Sequence, residues 1–414
     1  MAFNVFLICK LIHTGLALVI HRLLHRIHAK IHRYTYKAVT NAKNVIVIGG
    51  SFAGYAAAKQ LSETLPTGFR VILIEKHTHF QFTWNFPRVS VVEGHTKNAF
   101  IPYPPQSSVK PEGVYQFRQG EVLKIEGHLI VLSDKSTIPF EYLIVATGSQ
   151  ARYPSRLDAN DKIGGVKFFE EQQERIRNGT KILIVGAGAA GVEVAGDIKS
   201  IYPEKKVMLV HSRQQILNNF GPQLHTAAKN ALEELGVELH LGERVVAVLN
   251  GPESTQVRLL DGKVLHCDTL IQCIGQTPDS SLVRDAFPSA VSPSGFVLVE
   301  KTLRIKNAPL TIFACGDVVD LPGPKLGRAA IFQGFLAAEN IVRLISGQAM
   351  KSYKSGVIDR SIELTLGLGT NVTYVNDAEG SEMTMPKKVP DVDMHAAQAW
   401  KHLGATPFRD PDEV

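Results

Sequence analysis

Two stretches of the sequence decide the fold: Val45 to Gly54, VIVIGGSFAG, and Ile182 to Gly191, ILIVGAGAAG. Each is a short apolar run followed by closely spaced glycines, a pattern typical of a strand, a tight turn and a helix that bind a dinucleotide. The glycines let the backbone approach the pyrophosphate, and the N-terminus of the following helix stabilises its charge. Two such turns in one chain predict two bound dinucleotides, between which electrons would pass.

The first glycine turn carries the candidate contacts to one dinucleotide. Val45 to Gly49 is a predicted strand, Gly54 to Leu65 a helix and Val71 to Glu75 a second strand. Glu75 ends that strand about twenty residues past the glycines, where a carboxylate hydrogen-bonds a ribose hydroxyl. Serine replaces glycine at position 51, where it either hydrogen-bonds a phosphate oxygen or weakens binding. The candidate contacts of this unit are Gly49, Gly50, Ser51, Phe52, Ala53, Gly54, Glu75 and Lys76.

The second glycine turn repeats the scheme with one change. Its glycines are Gly186, Gly188 and Gly191, and a predicted strand follows at Val207 to Val210. That strand ends in His211-Ser212-Arg213, where an acidic residue is expected. Without the carboxylate a 2′-phosphate is not repelled, and Arg213 could pair with it. The choice between NADH and NADPH therefore stays open.

Alternating strands and helices predict the architecture. Further apolar strands end in small-residue turns at Glu141 to Ser149, Asp268 to Gly275 and Thr311 to Val318. We predict an α/β fold with two doubly wound Rossmann-like domains, one inserted in the other. The predicted boundaries are 44–155 and 286–350 for the first domain and 156–285 for the second. A C-terminal α+β region, 351–414, includes a β-like stretch at Ser361 to Thr373.

Composition and charge exclude several classes of protein. The four cysteines form no CxxC pair, so neither a disulfide framework, a zinc site nor a catalytic dithiol is indicated, and no metal is expected. The net charge is +6, but residues 1–43 carry seven Lys and Arg and no acidic residue, so the remainder is close to neutral. The basic residues belong to an N-terminal arm rather than to a nucleic-acid-binding surface.

The arm, residues 1–43, has the pattern of a membrane-active helix. An apolar run from Phe3 to Ile20 is interrupted by Lys10 and His13, which makes it marginal for a membrane span. From Ile20 an apolar stripe faces a basic one, with four histidines beside it that we expect to face solvent or lipid headgroups. Three interpretations stay open: a membrane anchor, a mitochondrial targeting segment and a packing helix. The apolar stripe is Ile20, Leu23, Leu24, Ile27 and Ile31.

These residues also carry a family likeness. From about Asn44 to Gly347 the chain resembles the two-dinucleotide flavoproteins, through both glycine turns and Thr311 to Val318, TIFACGDV. The stretch Phe82 to Tyr103, FTWNFPRVSVVEGHTKNAFIPY, is similar to the apoptosis-inducing-factor-like branch with its mitochondrion-associated homologue. Type II NADH dehydrogenases are more distantly similar. The resemblance implies FAD on the first turn and NAD(P)H on the second.

The resemblance also implies roles for individual residues. Lys325 would approach the pyrimidine edge of the flavin, together with the helix beginning near Gly327, and Glu193 would help to stack the nicotinamide on the flavin. These two are the candidate catalytic residues. Asp317 would bind the ribityl hydroxyls. Further cofactor contacts implied by the match are Arg88, Val122, Gly148 and Gly275.

Three functions are compatible with this set of residues. The first is a membrane-associated NAD(P)H:quinone oxidoreductase on a mitochondrial membrane or the cytoplasmic face of an organelle. The second is a tailoring flavin oxidoreductase of a specialised-metabolite pathway. The third is an NAD(P)H-responsive signalling or cell-death flavoprotein. The basic arm favours the first, because a lipid-soluble acceptor requires the flavin site to face a bilayer. The oligomeric state stays open.

Overall fold

The computed structural model describes residues 5–105, 108–250 and 255–411, so Phe3, the start of the predicted apolar run, lies outside the described residues. Short 3-10 turns occur at Thr83–Asn85, Thr96–Ala99 and Pro288–Ala290. The helices are α1 (Val5–Thr35), α2 (Phe52–Thr64), α3 (Phe86–Val89), α4 (Lys162–Asn178), α5 (Ala189–Ile201), α6 (Pro222–Glu234), α7 (Ser281–Ala286), α8 (Gly327–Ile345) and α9 (Ala396–His402).

A five-stranded parallel sheet forms the first Rossmann-like unit. Its strands are β1 (Lys43–Ile48), β2 (Phe69–Glu75), β5 (Tyr115–Gln119), β9 (Tyr142–Val145) and β19 (Ile312–Ala314), in the order β19-β9-β1-β2-β5. The side chains of β1, β2, β9 and β19 are mostly buried, as their near-continuous apolar runs predict for a sheet covered on both faces, whereas those of the edge strand β5 are mostly half-buried. Helices α2 and α8 pack together at Gly334, where a Cβ would collide with the carbonyl oxygen of Ala53.

A four-stranded parallel sheet forms the second unit. Its strands are β11 (Lys181–Val185), β12 (Lys206–His211), β13 (Glu238–Leu241) and β17 (Thr269–Gln272), in the order β13-β12-β11-β17. All four lie between β9 and β19 in the sequence, so the chain leaves the first sheet and later returns to it. The predicted fold class, α/β with two doubly wound units, is confirmed. The exact domain boundaries stay a prediction.

Small antiparallel sheets complete the two units. They pair β3 (His79–Gln81) with β4 (Phe100–Pro102), and β10 (Ser149–Gln150) with β18 (Thr277–Pro278). Two three-stranded sheets lie beside the large ones. One contains β6 (Val122–Glu126), β7 (Leu129–Leu132) and β8 (Thr137–Pro139); the other contains β14 (Val245–Asn250), β15 (Thr255–Leu259) and β16 (Val264–Cys267).

The C-terminal region adds another antiparallel sheet. The β-like stretch at Ser361 to Thr373 is divided between β20 (Ile362–Thr365) and β21 (Thr370–Asn376), and the Met- and Pro-containing segment after it forms β22 (Glu382–Lys388). The sheet packs on the second unit, because Leu364, Val372 and Tyr374 belong to the hydrophobic core of α5 and α6. Trp400 of α9 is fully buried and anchors the end of the chain to the first unit.

The N-terminal arm is one continuous helix, α1, that lies against the body. Leu7, Ala29 and His32 are buried on its inner side. His25 Nε2 lies 2.5 Å from Glu63 Oε2, and His32 Nε2 lies 2.6 Å from the carbonyl oxygen of Leu65. The expectation that the histidines all face solvent or headgroups is therefore wrong for these two, because they provide the polar contacts that hold α1 on α2.

Candidate active site

The two glycine turns have the same backbone geometry. Gly49 and Gly186 both have a left-handed φ, +94° and +106°, and a Cβ on either would collide with a neighbouring carbonyl oxygen. Gly54 and Gly191 each lie against the carbonyl oxygen of the first glycine of their turn. These contacts bring each helix close to its strand, so the free N–H groups at the helix N-terminus point into the space beyond the strand.

Serine at position 51 does not alter the turn. Ser51 has φ −76° and ψ −160°, and the equivalent Gly188 has φ −76° and ψ −175°. This extended backbone is open to any residue, so the serine costs no strain. At Gly188 an added Cβ would meet nothing within 4 Å, which shows that a side chain here points into open space. Both helices also begin two residues earlier than predicted, directly after Ser51 and Gly188.

A cavity beside the first turn is lined by five of the residues predicted for FAD. Glu75 and Lys76 line it from the end of β2, and Val122 lines it from β6. Gly49 and Ser51 form its base, while Phe52, Ala53 and Gly54 begin the helix behind it. Sequence reasoning missed other lining residues. His77 directly follows Glu75 and Lys76, whereas Tyr103, Thr147 and Arg156 come from distant parts of the sequence.

Glu75 is held as a buried carboxylate. Its oxygens accept hydrogen bonds from the backbone N–H groups of Gly50, at 2.5 Å, and His77, at 3.0 Å. The Nδ1 atom of His77 lies 2.6 Å from the same carboxylate. Burial by itself would raise the pKa of Glu75, but the contacts with His77 and Gly50 hold this pKa below its ordinary value. An ionised carboxylate at this position is suited to accept hydrogen bonds from ribose hydroxyls.

A second cavity lies where β19 meets α8. Asp317 and Lys325 line it, and the backbone N–H of Gly316 donates a 2.8 Å hydrogen bond to Gln333 Oε1. Lys325 Nζ donates to the carbonyl oxygens of Val319 and Leu321, at 2.6 and 3.2 Å. Burial lowers the pKa of Lys325 and raises that of Asp317, while their mutual attraction opposes both shifts.

Gly148 lies between the two cavities. It has a φ of +76°, and a Cβ there would lie 2.9 Å from the guanidinium of Arg156. Next to it, Ser149 Oγ lies 3.5 Å from Asp317 Oδ2. The structure thus places Gly148 next to a residue that contacts Asp317, and its close approach to a flavin stays a prediction.

The second nucleotide unit presents an open surface. Arg213 is exposed directly after β12, and Gly275 is exposed after β17, with room for a Cβ on every side. His211 ends β12, and its Nδ1 accepts a 3.3 Å hydrogen bond from the backbone N–H of Ala187. The structure thus keeps Gly186, Gly188, Arg213 and Gly275 at the carboxyl edge of one parallel sheet, where ligands bind in such folds.

Arg88 and Glu193 form a buried cluster that the sequence did not predict. Arg88 Nε donates a 2.7 Å hydrogen bond to Asp197 Oδ2, and both side chains are almost fully buried. Glu193 lies one helical turn before Asp197 on α5 and accepts a 3.2 Å hydrogen bond from the backbone N–H of Thr365. Burial raises the pKa of Glu193 to about 8 and that of Asp197 to about 6. Arg88 and Glu193, expected at two different cofactors, therefore share one site.

This buried cluster leaves polar atoms without partners. Within the described residues, both polar atoms of the buried Asn85 side chain and one oxygen of Asp197 lack a hydrogen bond. Such atoms normally have a hydrogen-bond partner in a folded protein. Asn85 adjoins α3, which packs on α5. The open glycine turns and the Glu75 carboxylate fit bound dinucleotides, whereas Asn85 and Asp197 line neither of the two cavities.

Most of this chain is similar to known proteins. The family model described as pyridine nucleotide-disulphide oxidoreductase matches residues 43–334. "Fe-regulated protein 8" of Mycosarcoma maydis is 34% identical over 87% of this chain and 95% of its own length. "Ferroptosis suppressor protein 1" of Mus musculus is 30% identical over 89% of this chain and 98% of its own length.

The solved structures establish the fold. The sulfide:quinone oxidoreductase of Aquifex aeolicus superposes with a TM-score of 0.69 at 17% identity, over 87% of this chain and 90% of that one. At this identity the likeness concerns architecture alone. The family match covers both glycine turns and all strands of the two parallel sheets. The chain therefore belongs to the pyridine nucleotide-disulphide oxidoreductase family, and it is an FAD-dependent NAD(P)H oxidoreductase.

Proposed function

We propose that this oxidoreductase is an apoptosis-inducing-factor-like enzyme that reduces a quinone at a membrane surface. One observation carries the proposal. Helix α1 packs on the rest of the protein with one side and exposes a continuous apolar face to solvent on the other. Exposed apolar patches of this size mark interaction sites. The outward side chains, each at least half exposed, are Ile12, Leu16, Val19, Ile20, Leu23, Leu24, Ile27 and Ile31.

Charge identifies a lipid surface as the partner of this face. Arg22, Arg26, Lys30 and Arg33 are exposed along one flank of the apolar face. Anionic headgroups attract such residues by about 1 kcal/mol each near the surface, while the apolar side chains enter the acyl boundary. Mitochondrial and other organelle surfaces that carry anionic lipids would meet this requirement.

The inner contacts of α1 favour a helix lying in the membrane interface over one crossing the bilayer. By length and hydropathy Val5–Thr35 is a candidate span. However, Lys10 Nζ pairs with Asp377 and Glu379, each at 2.8 Å, in the turn between β21 and β22. At the other end, His32 contacts Leu65. A crossing helix would have to release these contacts, whereas an interfacial one keeps them.

The same helix connects the membrane face with the second cavity. Leu7 is fully buried against Val357 and Val375. Val357 belongs to the segment 353–359, which lines the second cavity beside Asp317 and Lys325. The segment 353–359 therefore contacts both the N-terminal end of α1 and the second cavity.

The proposed roles of the site residues follow from their contacts. When bound, FAD supplies the two-electron chemistry that links NAD(P)H oxidation to reduction of the acceptor. In this proposal Glu75 binds the adenosine ribose, Ser51 binds a phosphate oxygen and Asp317 binds the ribityl hydroxyls. Lys325 provides positive charge at the pyrimidine edge. Arg88, paired with Asp197 of α5, holds α3 on α5, and Glu193 contacts the backbone of Thr365 beside it.

The test separates lipid binding from electron transfer. In Leu23→Glu with Ile27→Glu, two carboxylates replace side chains of the outer face that are 58% and 51% exposed. We expect this variant to lose sedimentation with anionic liposomes and turnover of a long-chain ubiquinone in them, but to keep ferricyanide reduction in solution. Ile163→Glu is the matched control, because Ile163 is 83% exposed on α4, away from this face.

The outcomes of this test are distinct. Wild type and control should bind the liposomes and reduce the quinone, and binding should weaken as salt rises. If wild type oxidises NAD(P)H with ferricyanide but reduces no quinone, the acceptor is another compound, and a tailoring or signalling role takes the place of this proposal. If the double variant reduces liposomal quinone as well as wild type does, α1 is not the membrane contact.

A further inference from the structure

The lining of the second cavity contains, besides Asp317 and Lys325, a tyrosine and a carboxylic acid in contact with each other. Tyr353 and Asp359 both line the cavity. The hydroxyl of Tyr353 donates a 2.7 Å hydrogen bond to Asp359 Oδ2. Asp359 is 7% exposed, so a charge on it is poorly solvated. Neither residue belongs to a glycine turn or contacts the predicted position of a nucleotide phosphate.

Part of the lining of this cavity is apolar and could pack against a flat, largely apolar ring at its mouth. The apolar lining residues include Leu321, Pro322, Leu326 and Ala330. A quinone has such a ring, with two carbonyl oxygens as its polar groups. Because Val357, between Tyr353 and Asp359 in the chain, packs on Leu7 of α1, the pair also lies close to the proposed membrane face.

Reduction of a quinone requires protons as well as electrons. NAD(P)H, one proton and a quinone give NAD(P)⁺ and a hydroquinone: the nicotinamide C–H bond breaks, and two O–H bonds form. NAD(P)H supplies both electrons and the equivalent of one proton, so the second proton must come from solvent. In a cavity from which water is largely excluded, a side chain has to deliver it.

We propose that Tyr353 is the proton donor to a quinone oxygen in the second cavity and that Asp359 is the positioning residue that returns a proton to it. This inference rests on the proposed quinone reductase function. Tyr353 O–H breaks as the quinone O–H forms, and the carboxyl O–H of Asp359 then protonates the phenolate. Asp359 recovers its proton from solvent, so the pair returns to its starting state.

The surroundings of Asp359 support this order of proton transfers. Burial raises the pKa of Asp359, although the hydrogen bond from Tyr353 and the nearby Arg360 oppose the shift. Burial also raises the pKa of Tyr353, which keeps the phenol protonated in the resting protein. When Asp359 is protonated, its O–H donates to the Tyr353 oxygen. The phenol O–H is then free to point at a ligand in the cavity.

The test compares an acceptor that needs protons with one that does not. In Tyr353→Phe the aromatic ring stays and the proton donor is lost. We expect single-turnover reduction of a short-chain ubiquinone by the NADPH-reduced holoenzyme to slow by about 10²-fold. Ferricyanide takes electrons without protons, so its reduction should stay at the wild-type rate. Asp359→Asn should show the same separation and a changed solvent isotope effect for quinone only.

The matched control is Tyr374→Phe. Tyr374 also donates to a carboxylate, Glu382, at 2.8 Å, but it belongs to the core beside α6 and does not line the cavity.

A third measurement needs no turnover: quenching of protein fluorescence by the same ubiquinone gives its dissociation constant. Loss of one hydrogen bond should change this constant in Tyr353→Phe by no more than about tenfold.

Each result decides a different point. Slow quinone reduction with normal ferricyanide reduction in Tyr353→Phe, and no change in Tyr374→Phe, supports Tyr353 as the donor. Wild-type quinone rates in Tyr353→Phe, or an equal loss with both acceptors, overturns the inference while leaving the quinone reductase proposal in place. Failure of wild type to reduce any quinone overturns both.

Discussion

Glu75 and His211 occupy equivalent positions in the two nucleotide-binding units. Each ends the second strand of its sheet, and each accepts a hydrogen bond from the backbone N–H of the second residue of its glycine turn, Gly50 or Ala187. One unit therefore presents a buried carboxylate to a ribose, whereas the other presents an imidazole. Burial lowers the pKa of His211, which favours its neutral form. The two units differ in charge at this point and agree in geometry.

This difference predicts the nicotinamide preference. With no carboxylate to repel a 2′-phosphate, and with Arg213 exposed two residues after His211, we expect NADPH to be accepted. Arg213→Gln should raise the KM for NADPH about tenfold or more, the equivalent of one charge-assisted hydrogen bond, and leave that for NADH unchanged. Bleaching of the flavin absorbance at increasing nucleotide concentration measures both.

The control for this prediction is Arg258→Gln, an exposed arginine on β15. This variant should change neither the KM for NADPH nor the KM for NADH. Conversely, His211→Asp restores a carboxylate next to Ala187 and should shift the preference towards NADH. If Arg213→Gln affects both nucleotides equally, Arg213 does not bind the 2′-phosphate.

A second prediction concerns FAD retention. Glu75→Gln keeps the size of the side chain but loses the charge that accepts hydrogen bonds from Gly50 and His77. We expect the purified variant to contain much less flavin than wild type and to bind added FAD about 10²-fold more weakly. Absorbance of the protein and fluorescence titration with FAD measure this. Glu121→Gln changes an exposed acid at the same cavity and should retain flavin normally.

A third prediction concerns the buried ion pair. Arg88→Met leaves Asp197 without its 2.7 Å partner in an almost fully buried position. Loss of one member of such a pair costs about 3–5 kcal/mol of unfolding free energy. Urea unfolding should show this loss. Arg177→Met removes a 2.6 Å pair with Glu93 that is about half exposed, and should cost less than about 1 kcal/mol. Equal costs would show that the buried pair adds no stability.

A fourth prediction concerns pH. The pKa of Glu193 is raised from 4.5 to about 8 in the folded protein. Between these values the folded state binds more protons than the unfolded state, so unfolding free energy falls as pH rises through this window. The side chain introduced by Glu193→Gln cannot ionise. The part of the pH dependence of the unfolding free energy that Glu193 contributes should therefore vanish in this variant. Urea unfolding of wild type and of Glu193→Gln between pH 5 and pH 8 measures this difference. If the unfolding free energy changes equally with pH in both proteins, the raised pKa of Glu193 is contradicted.

The fold was predictable because its signals are local. The glycine turns at Gly49 and Gly186 depend on backbone conformations that other residues adopt at a cost, and apolar runs mark the buried parallel strands. The strand at Ser361 to Thr373 was also visible from its pattern. The placement of Val122 and Asp317 near cavities followed from the family likeness, while their roles stay proposals.

Contacts between distant segments were not predictable in the same way. Arg88 and Asp197 are 109 positions apart, and Asp197 has the sequence context of an ordinary helix residue. Its spacing of four from Glu193 was the one available signal, since both then lie on the same side of α5. No sequence motif marks Tyr353 or Asp359. Their proposed role depends on their position in the lining of the second cavity. The inward turn of His25 and His32 depends on the shape of the surface under α1.

The central claim is that electrons from NAD(P)H pass to a quinone at a membrane surface, and product stoichiometry tests it most directly. The wild-type holoenzyme is mixed anaerobically with NADPH and anionic liposomes containing ubiquinone, and ubiquinol is quantified by chromatography. The account predicts one ubiquinol for each NADPH consumed, with the protein bound to the liposomes. NADPH consumption without ubiquinol, or the same ubiquinol yield from protein that stays off the liposomes, would contradict it.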